Sequence, residues 1–305
     1  MRIDSHRGEG SMTGILIVFL AAAGFSTKAI LVKYSYRYGA DALTTLALRM
    51  AFSIPFFIAM AVWGEMRSEK RICGRDLAII GALGIVGYYL SSYLDFLGLM
   101  YVSAGLERLI LFMCPTIVVG ISAIFMGRRI TARDIFALAL CYAGVFMAFA
   151  NEAGLDGEHV ALGAALVATA TVTYAIYLVT GAEVIKRAGA MRFTAYAMIV
   201  SGMAVMTHFV MAKETVAVRV SSEVAGLAIV MALIATVIPS LLMSEGLRRI
   251  GAGKTAIVSS AGPVITIWLA YMTLGEPVSA PQIGGTALII AGALSVGGDP
   301  AGGKA

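Results

Sequence analysis

Six charged residues lie inside long apolar stretches of this sequence, where a charge needs a partner or water. They are Lys28, Arg49, Asp95, Glu107, Arg108 and Glu245. A charge at the centre of a membrane-spanning helix costs about 2.5–3.5 kcal/mol on insertion scales, so each of the six needs a physical reason. Lys28 and Arg49 lie deepest in their apolar stretches. Acidic and basic groups together can bind a zwitterion, and the acidic groups can carry a proton. We expect these two to line a wet cavity or to pair with a carboxylate.

The other four charges have ordinary alternatives. Asp95, Glu107 and Arg108 lie close to a predicted lipid–water boundary, where a charged group snorkels to the surface or caps a helix. Glu107 also falls in the first turn of a predicted helix, where a negative charge complements the helix dipole. We retain Glu107, Arg108 and Glu245 as candidates for coupling or gating, and Asp95 as a candidate cavity residue.

Polar side chains form stripes at helical spacing on three predicted helices. The stripes contain Tyr88, Ser91, Ser92 and Asp95; Thr169, Thr173, Tyr177 and Thr180, with Tyr174 beside them; and Ser259, Pro263 and Thr266. A single hydroxyl of this kind commonly forms an interhelical hydrogen bond. Three stripes together instead predict a shared polar cavity. Its candidate lining is Lys28, Arg49, Tyr88, Ser91, Ser92, Asp95, Thr173, Tyr174, Tyr177 and Ser259.

The composition places these residues in a membrane protein. Of 305 residues, 59% are hydrophobic and only 13% are charged, whereas soluble domains carry about a quarter charged residues. Apolar stretches of the roughly 20 residues that span a bilayer occur at about 13–35, 42–63, 77–99, 104–126, 133–150, 160–181, 192–212, 224–247, 254–274 and 281–297. The sequence therefore predicts an all-α integral membrane protein with ten transmembrane helices.

The basic residues predict its orientation. The formal net charge is +5, but the lysines and arginines lie between apolar stretches, which favours membrane topology over nucleic-acid binding. Every second loop is basic, as in 67–75, 127–133, 186–192 and 248–254, whereas the alternate loops hold only Lys33, Arg37, Lys213 and Arg219. This asymmetry predicts that both termini are cytoplasmic.

Three other motifs predict little chemistry. "GAGKT" at 251–255 lacks the first glycine of a phosphate-binding loop. Three cysteines and three histidines have no metal-ligand or disulfide spacing, so we expect no metal and no cofactor. The N-terminal residues resemble a cleavable signal peptide, but the apolar character resumes after Lys28, which favours one full-length transmembrane helix.

The chain contains an internal repeat. A shift of 148 positions aligns Gly98-Leu99 with Gly246-Leu247, Pro115 with Pro263, and Gly127 with Gly275. We therefore expect two five-helix halves, 1–150 and 151–305, and because five is odd the second half is predicted to be inverted. Inverted repeats are typical of alternating-access transporters, and matched breaks in the two halves point to the binding site and the hinges. Pro115 and Pro263 are the candidate helix breaks.

The same residues carry a family resemblance. "LGEPVSAPQIGGTALIIAGALSV" at 274–296 resembles the EamA signature of the drug/metabolite transporter superfamily, and 101–130 is a weaker second match. One departure is Arg128, which stands where the family motif has a glutamate and where the second copy has Glu276. An arginine in helix two is common in the family, so a purely structural role is the alternative to a cavity role for Arg49. The overall pattern is most similar to amino-acid exporters of the YddG type.

These features favour a secondary or facilitative transporter of small polar metabolites. The resemblance implies an exporter of amino acids, including aromatic ones, in the bacterial inner membrane, with a small-molecule substrate and the lipid bilayer as its partners. We expect no nucleic-acid partner and a monomeric state. Carriage of cationic drugs or nucleotide sugars is the alternative within the superfamily. An integral-membrane enzyme is a further alternative, but the usual catalytic motifs are absent from the sequence, and we expect no catalytic residues.

Overall fold

The computed structural model describes residues 5–68, 71–114, 116–118, 120–121, 132–156, 159–212, 221–243, 245–246, 249, 258 and 261–297. Within these residues the chain is helical. The helices are α1 Ser5–Arg37, α2 Ala42–Met66, α3 Gly74–Gly98, α4 Ala104–Leu111, α5 Ala132–Asp156, α6 Val160–Ala188, α7 Ala190–Ala212, α8 Ser222–Met243, α9 Gly262–Leu274 and α10 Ala280–Gly297. Two predicted site residues, Pro115 and Ser259, lie outside the described residues.

Hydropathy explains why these segments are helices. Only helices satisfy all backbone hydrogen bonds within one segment, so an apolar stretch that enters lipid has to be helical. Six of the described helices are long and apolar enough to cross a membrane. They are Met12–Arg37, Ala42–Met66, Gly74–Gly98, Val160–Gly181, Ala190–Ala212 and Ser222–Met243, and shorter apolar helices occupy Ala139–Ala148, Gly262–Leu274 and Ala280–Gly292. The prediction of a multi-pass all-α membrane protein is confirmed at this level.

Short polar caps determine where several helices begin. The side chain of Asp41 accepts a hydrogen bond from the Thr44 N–H at the start of α2. Ser103 and Ser221 do the same for the first turns of α4 and α8. Each cap satisfies an N–H group that has no partner inside its own helix, so each of these helices begins at a defined residue.

Helices from the two halves pack directly against each other. In the α5–α10 pair, Cys141 lies against Ile289, and one turn further along α5 Gly144 lies against Gly285. The two helices therefore run in opposite directions. The α2–α7 pair is antiparallel in the same way, because Ile54 meets Gly202 whereas Gly64, near the end of α2, meets the start of α7.

The helices of the two halves also correspond in position along the chain. The starts of α2, α3 and α5 at 42, 74 and 132 recur 148 residues later, at 190, 222 and 280. The packed pairs correspond too, since α3–α6, α3–α7 and α4–α6 contacts are matched by α8–α1, α8–α2 and α9–α1 contacts. These correspondences in helix start and in packing hold within the described residues.

Matched irregular turns interrupt α3 and α8. Gly84–Leu90 in α3 and Leu233–Val237 in α8 form π-helical turns, whose positions correspond under the 148-residue shift. A third π-helical turn, Ala270–Leu274, ends α9. π-Helical turns inside α-helices occur frequently at functional sites. The sequence analysis did not predict them, because it placed the matched breaks at the prolines.

Close packing of α5 against α10 generates a test. A Cβ atom at Gly144 would lie 2.5 Å from the Gly285 carbonyl oxygen, so we expect Gly144→Ala to destabilise the protein by roughly 1–3 kcal/mol through overpacking. The measurement is the midpoint of thermal unfolding in detergent. Gly226→Ala is the matched control, because the added methyl group meets no atom within 4 Å. Equal midpoints for the two variants would refute this packing.

Candidate functional site

A buried charge cluster joins three helices of the first half. The Lys28 Nζ atom on α1 donates to Asp95 Oδ2 on α3 at 2.5 Å and lies 2.9 Å from Glu107 Oε1 on α4. The Asp95 and Glu107 side chains are only 5% and 0% exposed. Lys28 therefore pairs with two buried carboxylates, which is the second of its two predicted alternatives.

Several polar atoms of this cluster lack hydrogen-bond partners among the described residues. They include Asp95 Oδ1 and Glu107 Oε2, whereas Glu107 Oε1 is occupied by its ion pair with Lys28. Buried polar atoms are normally paired, and each exception needs an explanation such as a ligand or an ion. These two oxygens supply acceptors for a hydrogen-bond-donating group.

Two arginines supply donors near the same helices. Arg49 on α2 is buried, donates to Ser92 Oγ at 3.2 Å and lies over the Phe96 ring at 4.9 Å. The Arg108 guanidinium on α4 packs against Gly262 at the start of α9, where an added Cβ would lie 3.0 Å from it. Among the described residues, the Nε atoms of both arginines have no hydrogen-bond partner. They are donors for an anionic group.

Hydroxyl groups tie α1 to α9 beside Lys28. The Ser26 hydroxyl donates to the carbonyl oxygens of Ala22 at 2.7 Å and Gly262 at 3.1 Å. The Thr266 hydroxyl on α9 donates to the Ser26 carbonyl at 3.3 Å. Pro263 is buried next to this contact in the first turn of the helical segment Gly262–Leu269, where the missing N–H of proline is tolerated. The charge cluster therefore borders a helix of the second half.

The predicted polar stripe on α3 divides between two faces. Ser92 and Asp95 meet Arg49 and Lys28 on α2 and α1, as described above. Tyr88 and Ser91 instead face α6, where the Ser91 hydroxyl donates to the Ala170 carbonyl at 2.9 Å. The Thr173 hydroxyl on α6 donates to the same carbonyl at 2.9 Å. Ser91 thus forms an interhelical hydrogen bond, the alternative given for single hydroxyls, whereas the Thr173 hydrogen bond lies within α6.

Three tyrosines of the predicted lining form one aromatic cluster. The ring centroid of Tyr88 lies 4.8 Å from that of Tyr177 and 6.1 Å from that of Tyr174, and the two α6 rings stack at 5.7 Å. The cluster fits closely because a Cβ atom at Gly87, inside the π-helical turn, would lie 2.2 Å from Tyr177 Cβ. The turn and its glycine therefore bring α3 and α6 together at the tyrosines.

A second aromatic group joins α3 to α7, and sequence reasoning missed its histidine. The Tyr89 hydroxyl on α3 lies 2.9 Å from His208 Nδ1 on α7, and the Tyr93 ring lies edge-on to the same imidazole at 4.9 Å. The tyrosines are spaced four residues apart, which places them on one helix face. Their histidine partner had no local signal, because α7 is remote in the sequence.

The remaining gating candidate lies apart from the cluster. Glu245 accepts a hydrogen bond from Arg249 Nε at 2.6 Å, one helical turn away, and the two side chains are 32% and 38% exposed. No contact between Glu245 and Lys28, Asp95 or Glu107 occurs in the described part of the chain. Its role in coupling or gating stays a prediction, but its geometry is that of a local ion pair.

The end of the bundle that contains Arg37 and Ala104 joins the two halves. We call it the outer end, following the topology predicted from charge. Both oxygens of Glu276 accept from the Ala104 N–H, at 3.1 and 3.2 Å, at the start of α4. Arg37 donates to the Leu274 carbonyl at 2.7 Å. These contacts hold α1 and α4 of the first half against the end of α9.

Taken together, long apolar helices and a buried mixed-charge cluster between them define a multi-pass membrane protein with a polar site in its interior. The sequence profile described as the EamA-like transporter family matches residues 12–150 and 161–298. The chain therefore belongs to this family and contains two EamA units, as the sequence resemblance predicted.

Curated relatives agree with this assignment. The chain is 30% identical over 287 residues to the uncharacterized transporter YcbK of Bacillus subtilis, covering 92% of each chain. It is 24% identical to a second Bacillus subtilis protein, the uncharacterized transporter YyaM, over 93% of this chain and 94% of that one. A transporter of the EamA type is thus confirmed, whereas the names of these relatives specify no substrate.

A solved structure has the same fold. A protein whose crystal structure is known superposes with a TM-score of 0.65 over 93% of this chain and 96% of its own, at 17% sequence identity. At that identity the likeness concerns the fold alone. It extends over nearly the whole chain, so both EamA units belong to one architecture.

The ion pairs of Lys28 generate a stability prediction. Removal of one partner from a buried ion pair leaves an uncompensated charge and costs about 3–5 kcal/mol. We expect Lys28→Met to lower the free energy of unfolding by that amount, and Lys28→Met combined with Glu107→Gln to recover part of the loss. The measurement is a double-mutant cycle on thermal unfolding in detergent.

Lys33→Met is the matched control for this cycle. Lys33 lies on the same helix and is also partly buried, but it is not part of the charge cluster, so Glu107→Gln should not rescue it. Additive effects of the Lys28 and Glu107 substitutions would contradict the ion pair.

Proposed function

We propose that the chain carries a zwitterionic amino acid, with aromatic amino acids as the preferred substrates, and exports it from the cytoplasm. The observation that carries this proposal is that buried carboxylate oxygens of Asp95 and Glu107 and the buried Nε atoms of Arg49 and Arg108 all lack hydrogen-bond partners among the described residues. A zwitterion presents one ammonium and one carboxylate group. It therefore complements both sets of atoms at once, which neither a simple cation nor a simple anion does.

The geometry suggests which residues bind each end of the substrate. Asp95 and Glu107 are the acceptors for the ammonium group of the substrate, which competes with Lys28 for their oxygens. Arg108 is the donor for the carboxylate group, because its guanidinium lies at the start of α9, where a helix N-terminus also favours negative charge. Arg49 is a second donor, although its Nη2 atom already donates a hydrogen bond to Ser92 Oγ.

The tyrosines support an aromatic side chain in the substrate. Tyr88, Tyr174 and Tyr177 lie between α3 and α6 and already interact edge-on and stacked. Aromatic pairs are worth about 0.5–1.5 kcal/mol beyond their buried area, so a substrate ring that joins the cluster gains affinity over an aliphatic one. Tyr88 also lies on the same helix as Asp95, which connects the two subsites.

We further propose a ten-helix inverted repeat, with halves 1–150 and 151–305, that works by alternating access. The 148-residue correspondence of helix starts, the antiparallel α2–α7 and α5–α10 pairs and the matched π-helical turns support it. In such transporters one half rocks against the other around a fixed central site. The proposal places the chain in a bacterial inner membrane, as a monomer, with both termini cytoplasmic.

The other substrates of the superfamily fit the cluster less well. Three basic residues, Lys28, Arg49 and Arg108, stand against two carboxylates, which disfavours a cationic drug. A nucleotide sugar carries a diphosphate and needs an excess of accessible cations, whereas Lys28 is already held by two carboxylates. A single transport assay distinguishes amino acids, cationic drugs and nucleotide sugars as substrates.

The test is counterflow transport in proteoliposomes loaded with candidate substrates. We expect tyrosine, phenylalanine or tryptophan to drive counterflow, and nucleotide sugars and cationic dyes to be inactive. Loss of a charged hydrogen bond is worth about 1.5–3 kcal/mol, so Arg108→Gln should lower the apparent affinity roughly 10- to 100-fold. Tyr177→Ala should weaken aromatic more than aliphatic substrates.

Thr207→Ala is the matched control for these variants, because the Thr207 hydroxyl is exposed and bonds only within its own helix. It should transport as the unsubstituted protein does. Counterflow driven by dyes or nucleotide sugars but not by amino acids would refute the proposed substrate class. Unchanged affinity in Arg108→Gln would refute the carboxylate subsite.

A further inference from the structure

The end of α9 carries carbonyl groups that its own helix cannot satisfy. Gly275 ends this helix in the left-handed region, at a φ of 71°, so the last carbonyl groups have no partner within it. The first half supplies the donors. The Tyr34 hydroxyl donates to the Thr273 carbonyl at 2.5 Å, and Arg37 Nη2 donates to the Leu274 carbonyl at 2.7 Å. The Arg37 guanidinium also lies over the Tyr34 ring at 5.6 Å, so the two donors support each other.

Glu276 adds a contact by capping a helix of the other half. Ala104 begins α4 and is 0% exposed, so its N–H group has neither an intrahelical partner nor access to water. Both oxygens of Glu276 accept from this group, and a negative charge is favourable at a helix N-terminus. At the next residue, Gly105, an added Cβ atom would lie 2.1 Å from Gln282 Nε2 on α10. The second half therefore encloses the first turn of α4.

An ion pair joins the two halves at the opposite, inner end of the bundle. Arg187 on α6 donates to the Asp76 carboxylate on α3, from Nε at 3.0 Å and from Nη2 at 2.7 Å. The same two helices are still in close contact near the outer end, where a Cβ atom added at Gly98 would lie 2.5 Å from Val167 Cγ2. The ion pair therefore belongs to an interface that is packed along both helices, and it provides a comparison for the outer contacts.

The internal repeat does not supply the outer contacts a second time. We call the side chains of Tyr34, Arg37 and Glu276 the outer latch. In an inverted repeat, residues that close one end have counterparts in the other half that close the opposite end. The counterparts of the latch, 148 positions away, are Ala182, Ile185 and Arg128. Alanine and isoleucine side chains have no hydrogen-bond donor and arginine has no acceptor, so these residue types cannot form the corresponding hydrogen bonds.

We propose that the outer latch holds the outer end of the protein closed in the absence of substrate, and that it has to open before substrate is released to the outside. This inference rests on the alternating-access movement proposed above and deepens it by naming the resting state. An exporter whose empty state is closed to the outside is loaded from the cytoplasm. Glu276 is a positioning residue in this scheme, because it touches the start of α4 and not the substrate.

The test measures how fast a membrane-impermeant maleimide modifies a cysteine behind the latch. Ala104→Cys is the reporter, in full-length protein whose native cysteines, Cys73, Cys114 and Cys141, are replaced by serine. The protein is studied without substrate in right-side-out membrane vesicles, where the reagent reaches only the outer end. Unsubstituted protein verifies the sidedness, because Cys73 is exposed at the start of α3 and should react only in inside-out vesicles.

We expect slow modification of the reporter, and roughly ten-fold faster modification after Glu276→Ala, because a hydrogen bond to a charged group is lost. Tyr34→Phe removes only a hydroxyl and should accelerate the reaction roughly three-fold. Asp76→Asn is the matched control, since it removes a carboxylate that joins the two halves at the inner end. It should leave the rate unchanged.

Rapid modification of the reporter in the unaltered latch would overturn the closed resting state. Equal rates before and after Glu276→Ala would overturn the latch. A variant with Cys141 as its single cysteine reports unfolding, because Cys141 is 0% exposed against α10; if Glu276→Ala exposes it, the milder Tyr34→Phe decides by the same criteria. The assay contains no substrate, so its outcome is independent of the substrate class, and failure of the latch leaves the counterflow result unaffected.

Discussion

The contact of Lys28 with Asp95 and Glu107 is the constraint on which the interior of this protein depends. Charges removed from water into a low-dielectric bundle are tolerated only when they are paired, and the penalty for an unpaired charge is several kcal/mol. Because the three residues come from α1, α3 and α4, their pairing fixes these helices relative to one another. The same pairing leaves Asp95 Oδ1 and Glu107 Oε2 without a hydrogen-bond partner among the described residues, so it holds the helices together and also leaves polar acceptors in the interior.

The fold is repeated between the two EamA units, whereas the charged residues of the site are not. Helix starts, packed pairs and π-helical turns recur after 148 residues, but the charges do not. The positions that correspond to Lys28, Asp95 and Glu107 hold Ile176, Met243 and Thr255. A second charge cluster of this kind would double the free-energy cost of burying charge. The second half instead contributes backbone, through Gly262, and aromatic rings, through α6.

Sequence reasoning predicted the elements better than their contacts. Hydropathy located the helices and the 148-residue shift related them, because both depend on composition and local periodicity. The charge at Lys28 was recognised as unusual, yet its partner stayed undetermined, since pairing depends on the packing of three helices. The Tyr89–His208 contact was missed for the same reason. Pro115 and Ser259 lie outside the described residues, so the proline pair as matched breaks stays a prediction.

The α3 stripe shows in physical terms why the contacts were harder to predict. A stripe of residues at 88, 91, 92 and 95 shares one face only if every turn has about 3.6 residues. The π-helical turn at Gly84–Leu90 holds more residues per turn, so spacing across it departs from that of a regular α-helix. Tyr88 contacts the tyrosines of α6, whereas Asp95 contacts Lys28 on α1. Sequence spacing alone therefore did not reveal that Tyr88 and Asp95, which lie on the same helix, contact different neighbours.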